Sequence, residues 1–228
     1  MRRRHGVAHA AAVAAVAVLL ALGVWQVERR AWKHALVAHV ERRLAAAPVA
    51  APGPSSWRAI DADDAYTRVR LTGRFRPQRD QFVQAVTAAG GGYWVVAPFD
   101  TADGWTVLVN RGFVPAAERA RLRPADATSV TGLLRLSEPG GAFLRDNDAA
   151  AGRWYSRDVA ALAKAQGIAR VAPYFIDADA TRSGGWPRGG MTTVRFADNH
   201  LIYALTWFAL AILVAVMAWR ALFRAEPA

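Results

Sequence analysis

Two long apolar blocks, one near each end of the chain, dominate the pattern of hydrophobic and polar positions. The first runs from about Ala10 to Trp25, and the second runs from Leu201 to Trp219 without a charged residue. A helix needs roughly 20 apolar residues to cross the hydrocarbon core of a bilayer. The second block meets this length, and the first meets it when the apolar residues at its ends are included. The pattern therefore predicts transmembrane helices over residues 7–27 and 199–219.

A cleaved signal peptide is the alternative interpretation of the first block. Such a peptide has a basic start, an apolar middle and a small-residue cleavage site, and Ala21-Leu22-Gly23 offers such a site. The helical pattern, however, continues past this point with no turn residue before Pro48. An uninterrupted helix that leaves the membrane favours a retained transmembrane segment.

Basic residues at the outer ends of the two blocks predict the orientation of the chain. Arginines lie before the first block and after the second, at positions 2, 3, 4, 220 and 224. Cytoplasmic flanks of membrane spans are enriched in such residues, although the group after the first block (Arg29, Arg30 and Lys33) argues weakly the other way. We expect cytoplasmic ends at residues 1–6 and 220–228, a periplasmic domain at 28–198, and a bacterial inner (plasma) membrane location.

The segment between the spans alternates polar and apolar residues in several short runs, which is typical of strands. Strands are predicted at residues 68–75, 81–86, 93–99, 105–109, 129–136 and 171–177. Gly90-Gly91-Gly92 and Asp103-Gly104 are interpreted as turns, and residues 45–56 as a linker. Ser156 is the expected cap of a helix that ends at Gly167. The predicted fold class is α+β: two transmembrane helices flanking a β-rich, antiparallel barrel or sandwich with one or two helices.

Charge and composition narrow the range of partners. The 228 residues carry a formal net charge of +11 and contain no cysteine, which excludes disulfides and thiolate metal sites. A strongly basic soluble protein would suggest a nucleic-acid partner. Here the arginines are interleaved with acidic residues or flank the apolar blocks, so the charge favours a lipid bilayer and no nucleic acid.

The distribution of histidines argues against an enzyme. From Val40 to Asn199 the chain has neither histidine nor cysteine, so this segment cannot form a Ser–His–Asp triad, a Cys–His pair or a histidine metal site. Asp61, Asp63 and Asp64 lack the glycine and distal glutamate of a calcium loop, and we interpret them as a solvated turn.

All five histidines lie near the predicted spans, and His200 stands at the start of the second one. On a helix it shares a face with Tyr203 and Trp207. A neutral imidazole on an aromatic, apolar face is a candidate axial ligand for haem iron, with Ala204 leaving room for the ring. Arg29 or Arg30 could then pair with the propionates. Interfacial roles remain open: a polar first turn for His200, membrane anchors for Trp25 and Trp207, and lipid contacts for the arginines.

Several motifs in sequence order resemble the surfeit locus protein family of cytochrome oxidase assembly factors, of the bacterial type. They are Leu22-Gly23-Val24-Trp25-Gln26-Val27-Glu28-Arg29, Tyr93-Trp94-Val95-Val96-Ala97-Pro98-Phe99, Val109-Asn110-Arg111-Gly112-Phe113-Val114-Pro115, Trp154-Tyr155-Ser156-Arg157-Asp158, Pro173-Tyr174-Phe175-Ile176-Asp177 and Asn199-His200-Leu201-Ile202-Tyr203-Ala204-Leu205-Thr206-Trp207-Phe208. The resemblance covers nearly the whole chain. One departure is Met191, which stands where the family usually has glutamine.

The resemblance implies a role in the biogenesis of haem–copper terminal oxidases. It implies a chaperone without turnover chemistry that binds haem a transiently through His200 and helps insert it into oxidase subunit I. Tyr203, Trp207, Arg29 and Trp25 complete the expected haem contacts, and haem a synthase is a second expected partner. A scaffold that stabilises a subunit I intermediate without binding haem is the alternative.

Overall fold

A computed structural model of the protein describes residues 2–142, 144–180, 185–191 and 198–223, with the backbone alone at 2–6, 222 and 223. The chain divides into two compact units. A helix unit contains Met1–Val40 and Val194–Ala228, and a β domain contains Glu41–Thr193. The predicted cytoplasmic residues Arg224 and Ala228 lie outside the described residues.

The helix unit is built from α1 (Arg2–Ala45) and α3 (His200–Phe223). Each contains a stretch long and apolar enough to cross a membrane, Val7–Ala45 and His200–Ala221. Their apolar side chains face outward rather than into a protein core: Val13 is 69% exposed and Ile212 is 65% exposed. These features fit a membrane protein. The helix α1 continues without a break past the predicted span, as the lack of turn residues before Pro48 indicated.

In its described residues the β domain contains seven strands and the helix α2 (Val159–Ala165). The strands are β1 (Val49–Ala50), β2 (Arg68–Phe75), β3 (Gln81–Thr87), β4 (Gly90–Thr101), β5 (Thr106–Pro115), β6 (Ser129–Leu136) and β7 (Val171–Ala178). Three short 3-10 helices lie at Trp57–Ala59, Ala62–Asp64 and Ala116–Arg121.

Five of the strands close into a barrel. The sheet order is β1-β2-β6-β7-β5-β4-β3, and β2 also pairs with β4, which joins the two sides of the sheet. This confirms the predicted β-rich fold and identifies it as a barrel. Most pairs are antiparallel, as expected, but β5–β7 and β1–β2 are parallel. The parallel pairing of β5 with β7 is possible because the long segment between them, which includes β6 and α2, returns the chain to the same end of the barrel.

Two clusters of buried side chains stabilise the β domain. One fills the barrel and includes Phe99, Val109 and Tyr174. The other lies between the sheet and α2 and is centred on Trp154 and Leu162, both fully buried. Alternate residues of β7 contribute to the two clusters, because successive side chains of a strand point to opposite faces.

A buried polar network ties three strands together around Asp177, which is 4% exposed. Its carboxylate accepts hydrogen bonds from Asn110 on β5, Arg135 on β6 and Arg157 in the segment before α2. Glu138 also pairs with both arginines. The network therefore balances two positive and two negative charges, which is the condition under which buried ions are tolerated.

Two local predictions were wrong. Gly90-Gly91-Gly92 belongs to β4, and the turn consists of residues 88 and 89. Gly92 serves close packing, because a Cβ at this position would overlap the carbonyl of Val114 and the ring of Phe113. The cap of α2 is Asp158, whose side chain accepts from the backbone N–H of Ala161, rather than Ser156.

The hydroxyl of Ser156 has a different role from the predicted cap. It accepts hydrogen bonds from the backbone of Gly141 and the side chain of Asn147. The acidic turn follows the prediction. Asp61 and Asp64 form a reciprocal capping box around one another's backbone N–H groups, so their carboxylates satisfy a local turn.

Candidate functional site

The start of α3 is fixed by Asp198. Its side chain accepts a hydrogen bond of 3.1 Å from the backbone N–H of His200. Aspartate is favoured there because the first N–H groups of a helix have no partner within the helix. The cap holds His200 in the first turn of α3.

The helices α1 and α3 are in close contact at Gly23 and Phe208. Gly23 is buried, and a Cβ at this position would overlap the ring of Phe208. Ala204 and Ala211 on α3 are 1% and 2% exposed. Small residues allow helices in a membrane to approach closely. Gly23, Ala204 and Ala211 are the small residues at this contact.

Gln26 lies one turn after Gly23 on α1 and contacts the ring of His200. The distance between the Gln26 amide oxygen Oε1 and His200 Nδ1 is 2.7 Å. With the amide oxygen as the acceptor, Nδ1 is the donor of this hydrogen bond. No described residue forms a hydrogen bond with the Nε2 nitrogen. One ring nitrogen is therefore anchored by Gln26, and the other has no described partner.

Asp198 connects the same region to two cationic residues of α1. Its Oδ2 lies 2.6 Å from His34 Nε2 and 3.4 Å from Arg30 Nε. The hydrogen bond with His34 is the largest influence that lowers the pKa of the Asp198 carboxyl, and the N–H of His200 and the charge of Arg30 act in the same direction. The carboxylate is thus ionised and ties the start of α3 to the middle of α1 in one polar cluster.

The other predicted contact residues are placed around this cluster in different ways. Tyr203 is 54% exposed on α3, one turn from His200, and Trp207 is half-buried on the same face. Trp25 is 52% exposed and precedes Gln26 on α1. Arg29 turns away from Asp198, and its guanidinium carbon lies 4.0 Å from the centre of the Trp32 ring. Arg30 is the arginine that the fold brings to the cluster.

A flat haem ring would find both a donor and an apolar surface here. His200 offers an imidazole nitrogen that has no described partner, and the exposed Tyr203 and the half-buried Trp207 flank it on the helix surface. Ala204 offers no open space, since it is already covered, so the ring would lie beside Tyr203 rather than over Ala204. The residues present therefore fit haem as a bound cargo against the exposed surface of α3 beside Tyr203.

Sequence reasoning missed two partners in this site. Gln26 was not predicted as the partner of His200, and Asp198 was not predicted as the partner of Arg30 and His34. The signal that could have found them is the antiparallel order of the spans. It places the residues just after the first span at the same membrane level as the residues just before the second.

A small closed β barrel whose sequence is flanked by two helices that are apolar enough to cross a membrane defines the class of protein to which this chain conforms. Comparison with known proteins gives the family. The family model described as the SURF1 family matches residues 13–212, and the chain belongs to this family.

Curated relatives are similar over most of the chain. Surfeit locus protein 1 of Rattus norvegicus is 32% identical over 235 residues, which cover 92% of this chain and 74% of the relative. Surfeit locus protein 1 of Homo sapiens is 32% identical over 231 residues, covering 90% and 74%. The SURF1-like protein of Monosiga brevicollis is 32% identical, covering 94% and 87%.

Proposed function

We propose that this protein is an assembly factor for a haem–copper terminal oxidase that binds haem a through His200 and assists its insertion into oxidase subunit I. Membership of the SURF1 family supports the assembly role. The observation that carries the haem proposal is the hydrogen bond between His200 Nδ1 and Gln26, because it leaves Nε2 as the iron-binding nitrogen.

Each further residue has a distinct proposed task. Tyr203 and Trp207 supply the aromatic surface for the ring, and Trp25 supplies a second one from α1. The guanidinium groups of Arg29 and Arg30 are suited to the propionates, since arginine pairs with carboxylates in a bidentate manner. Arg29 would leave its stack on Trp32 to do so, whereas Arg30 is already held near His200 through Asp198.

A carrier of this kind needs no turnover chemistry. The protein receives haem a, holds it with moderate affinity and releases it, because very tight ligation would oppose transfer. We therefore propose that it is a chaperone rather than an enzyme, with subunit I as its client and haem a synthase as the source of its cargo. The proposed topology has both termini in the cytoplasm and the β domain in the periplasm of a bacterial inner membrane.

The test is co-expression of the full chain with the enzymes of haem a synthesis, followed by purification and an absorption spectrum. Wild type is expected to carry haem a, and His200→Ala is expected to lose it. His39→Ala is the matched control, because His39 is an exposed histidine on the same unit. It should keep the wild-type spectrum.

The alternative function is a scaffold that stabilises a subunit I intermediate without binding haem. Wild-type protein that is purified without haem under these conditions, yet still copurifies with subunit I, would favour the scaffold. Equal haem content in wild type and His200→Ala would leave the assembly role but reject His200 as the ligand.

A further inference from the structure

A groove in the β domain lies at the far end of the β3–β4 hairpin, away from the barrel closure. Its volume is about 560 Å³. The walls come from β3, β4, the 3-10 helix that follows β5, and the loop before α2; they include Gln84, Val86, Gly92, Tyr93, Arg145 and Tyr155. The volume is within the range of pockets that bind small molecules or short peptide segments.

One wall of this groove is the outer edge of β3, the last strand of the sheet. The backbone N–H of Gln84 points outward and donates to the carbonyl of Trp154 over 2.8 Å. The segment that contains Trp154 then leaves the edge of β3, because the N–H of the next residue, Tyr155, donates to the side chain of Asn147. Backbone groups alternate in direction along a strand, so the N–H and C=O of Val86 also point outward. No described residue pairs with them.

The tip of this edge is unusually apolar for an exposed position. Val86 is 89% exposed, and Leu144, in the loop before α2, is 88% exposed. Natural sheets usually protect an open edge with charges, proline or a covering segment. Here the edge ends in an open, apolar residue beside a concave surface, which is the arrangement found where an extended segment adds to a sheet.

The groove also carries positive charge without a matching acid. Arg145 contacts the side-chain oxygen of Gln84 at 3.5 Å and lies 5.6 Å from the centre of the Tyr155 ring. Arg119 stacks on Phe82 and Tyr93. Neither guanidinium forms an ion pair with a described residue. Two nearby acids are engaged elsewhere, since Glu118 pairs with Arg121 and Asp148 pairs with Arg153.

We propose that this groove binds an extended acidic segment of a partner protein, which adds a strand to the free edge of β3 and places a carboxylate against Arg145. The outward backbone groups of Val86 supply main-chain hydrogen bonds, and Tyr93 and Tyr155 supply flat apolar surface. The uncompensated arginines select an acidic segment over a basic one. This interaction does not depend on haem binding, so it stands or falls separately from the proposed function.

The probe is a fluorescent peptide of alternating glutamate, valine and tyrosine, with a second peptide in which lysine replaces each glutamate. Binding to the detergent-solubilised full chain is measured by fluorescence anisotropy. The acidic peptide is expected to bind at least about tenfold more tightly than the basic one, as charge complementarity at an exposed cationic groove requires. N-methylation of the amides on one edge of the acidic peptide should abolish binding, because it removes the donors that pair with β3.

Two pairs of variants separate the charge from the backbone contribution. Arg145→Gln should weaken binding of the acidic peptide about threefold or more. Arg74→Gln, the same change at an exposed arginine on β2, should leave the binding unchanged. Val86→Pro removes the outward N–H and should weaken binding, whereas Val86→Ala keeps it and should bind nearly as wild type.

Three outcomes would overturn the proposal. They are equal binding of the acidic and basic peptides, binding that Arg145→Gln leaves unchanged, and self-association of the chain that Val86→Pro abolishes. The last would assign the edge to a second copy. If Val86→Pro lowers the melting temperature, the N-methylated peptide still tests the backbone contact on wild-type protein.

Discussion

The side chain of Gln26 decides which nitrogen of His200 is available, so a single amide controls the proposed haem ligand. A histidine at the start of a helix can rotate and exchange tautomers freely. The 2.7 Å hydrogen bond to Nδ1 restricts both motions. Second-shell partners of metal-binding histidines usually have this effect, and their loss lowers metal affinity by about 10- to 100-fold.

Replacement of Gln26 tests this role without touching the ligand. Gln26→Leu should reduce the haem a content of the co-expressed protein, because Nδ1 loses its acceptor. Gln26→Glu keeps an oxygen acceptor and should retain haem. The readout is the absorption spectrum, in which a purely structural role would predict no difference between the two variants at equal protein yield.

Tyr174 gives the β domain a defined sensitivity to alkali. It is fully buried and its hydroxyl donates to the carbonyl of Pro52 over 2.7 Å. Burial raises the pKa of Tyr174 well above its ordinary value of 10.0. The folded state therefore holds the phenol proton more tightly than the unfolded state, and its contribution to stability is complete below pH 10 and declines as pH rises above that value.

Tyr174→Phe should remove part of the decline in the stability of the β domain above pH 10. At pH 8 the variant loses the hydrogen bond and about 1 kcal/mol of unfolding free energy. Above pH 10 the wild type should lose up to about 1.4 kcal/mol more per pH unit than the variant, so the two stabilities converge. Denaturant unfolding at pH 8 and pH 11 measures the difference. A gap that stays constant between the two pH values would contradict the assignment.

At the scale of elements, the barrel depends on charges that join strands distant in the sequence. Asp177 on β7 binds groups from β5, β6 and the segment before α2. None of these residues is near another in the chain, so local pattern does not reveal the network. Its loss would leave Arg135 and Arg157 with Glu138 as their shared partner.

Asp177→Asn is expected to destabilise the β domain by about 3 kcal/mol, because it leaves a buried positive charge unbalanced. Asp148→Asn is the matched control, since Asp148 also pairs with an arginine but lies at the surface. That variant should change the unfolding midpoint little. Similar melting temperatures for the two variants would mean that the Asp177 network contributes no more than a surface pair.

At the scale of the whole molecule, the proposed orientation determines which compartment each site faces. A reporter fused after the C-terminus should behave as cytoplasmic, and one inserted at the exposed turn of residues 88 and 89 should behave as periplasmic. Periplasmic activity at the C-terminus would mean that the first span is cleaved or that the orientation is reversed. Size analysis of the mature chain distinguishes these two results.

Elements whose signal is local could be predicted from the sequence. The strands β2 and β6 largely alternate polar and apolar residues, and their bounds agree with the prediction. Gly167, with a φ of +66°, ends the helical segment at the position expected for glycine. The start of α2 and the glycine run of β4 were harder, because Asp158 and Ser156 are both good caps and glycine serves both turns and close packing.

The sequence by itself determined the two apolar helices, the β-rich domain between them and the confinement of every histidine to the neighbourhood of the spans, because hydrophobic period and residue type are local properties. Only the tertiary structure decided that five strands close into a barrel, that β5 runs parallel to β7, that Gln26 rather than another residue holds His200, and that β3 has an open edge. These features depend on which distant residues meet, and the energy of such contacts is absent from any short window of the chain.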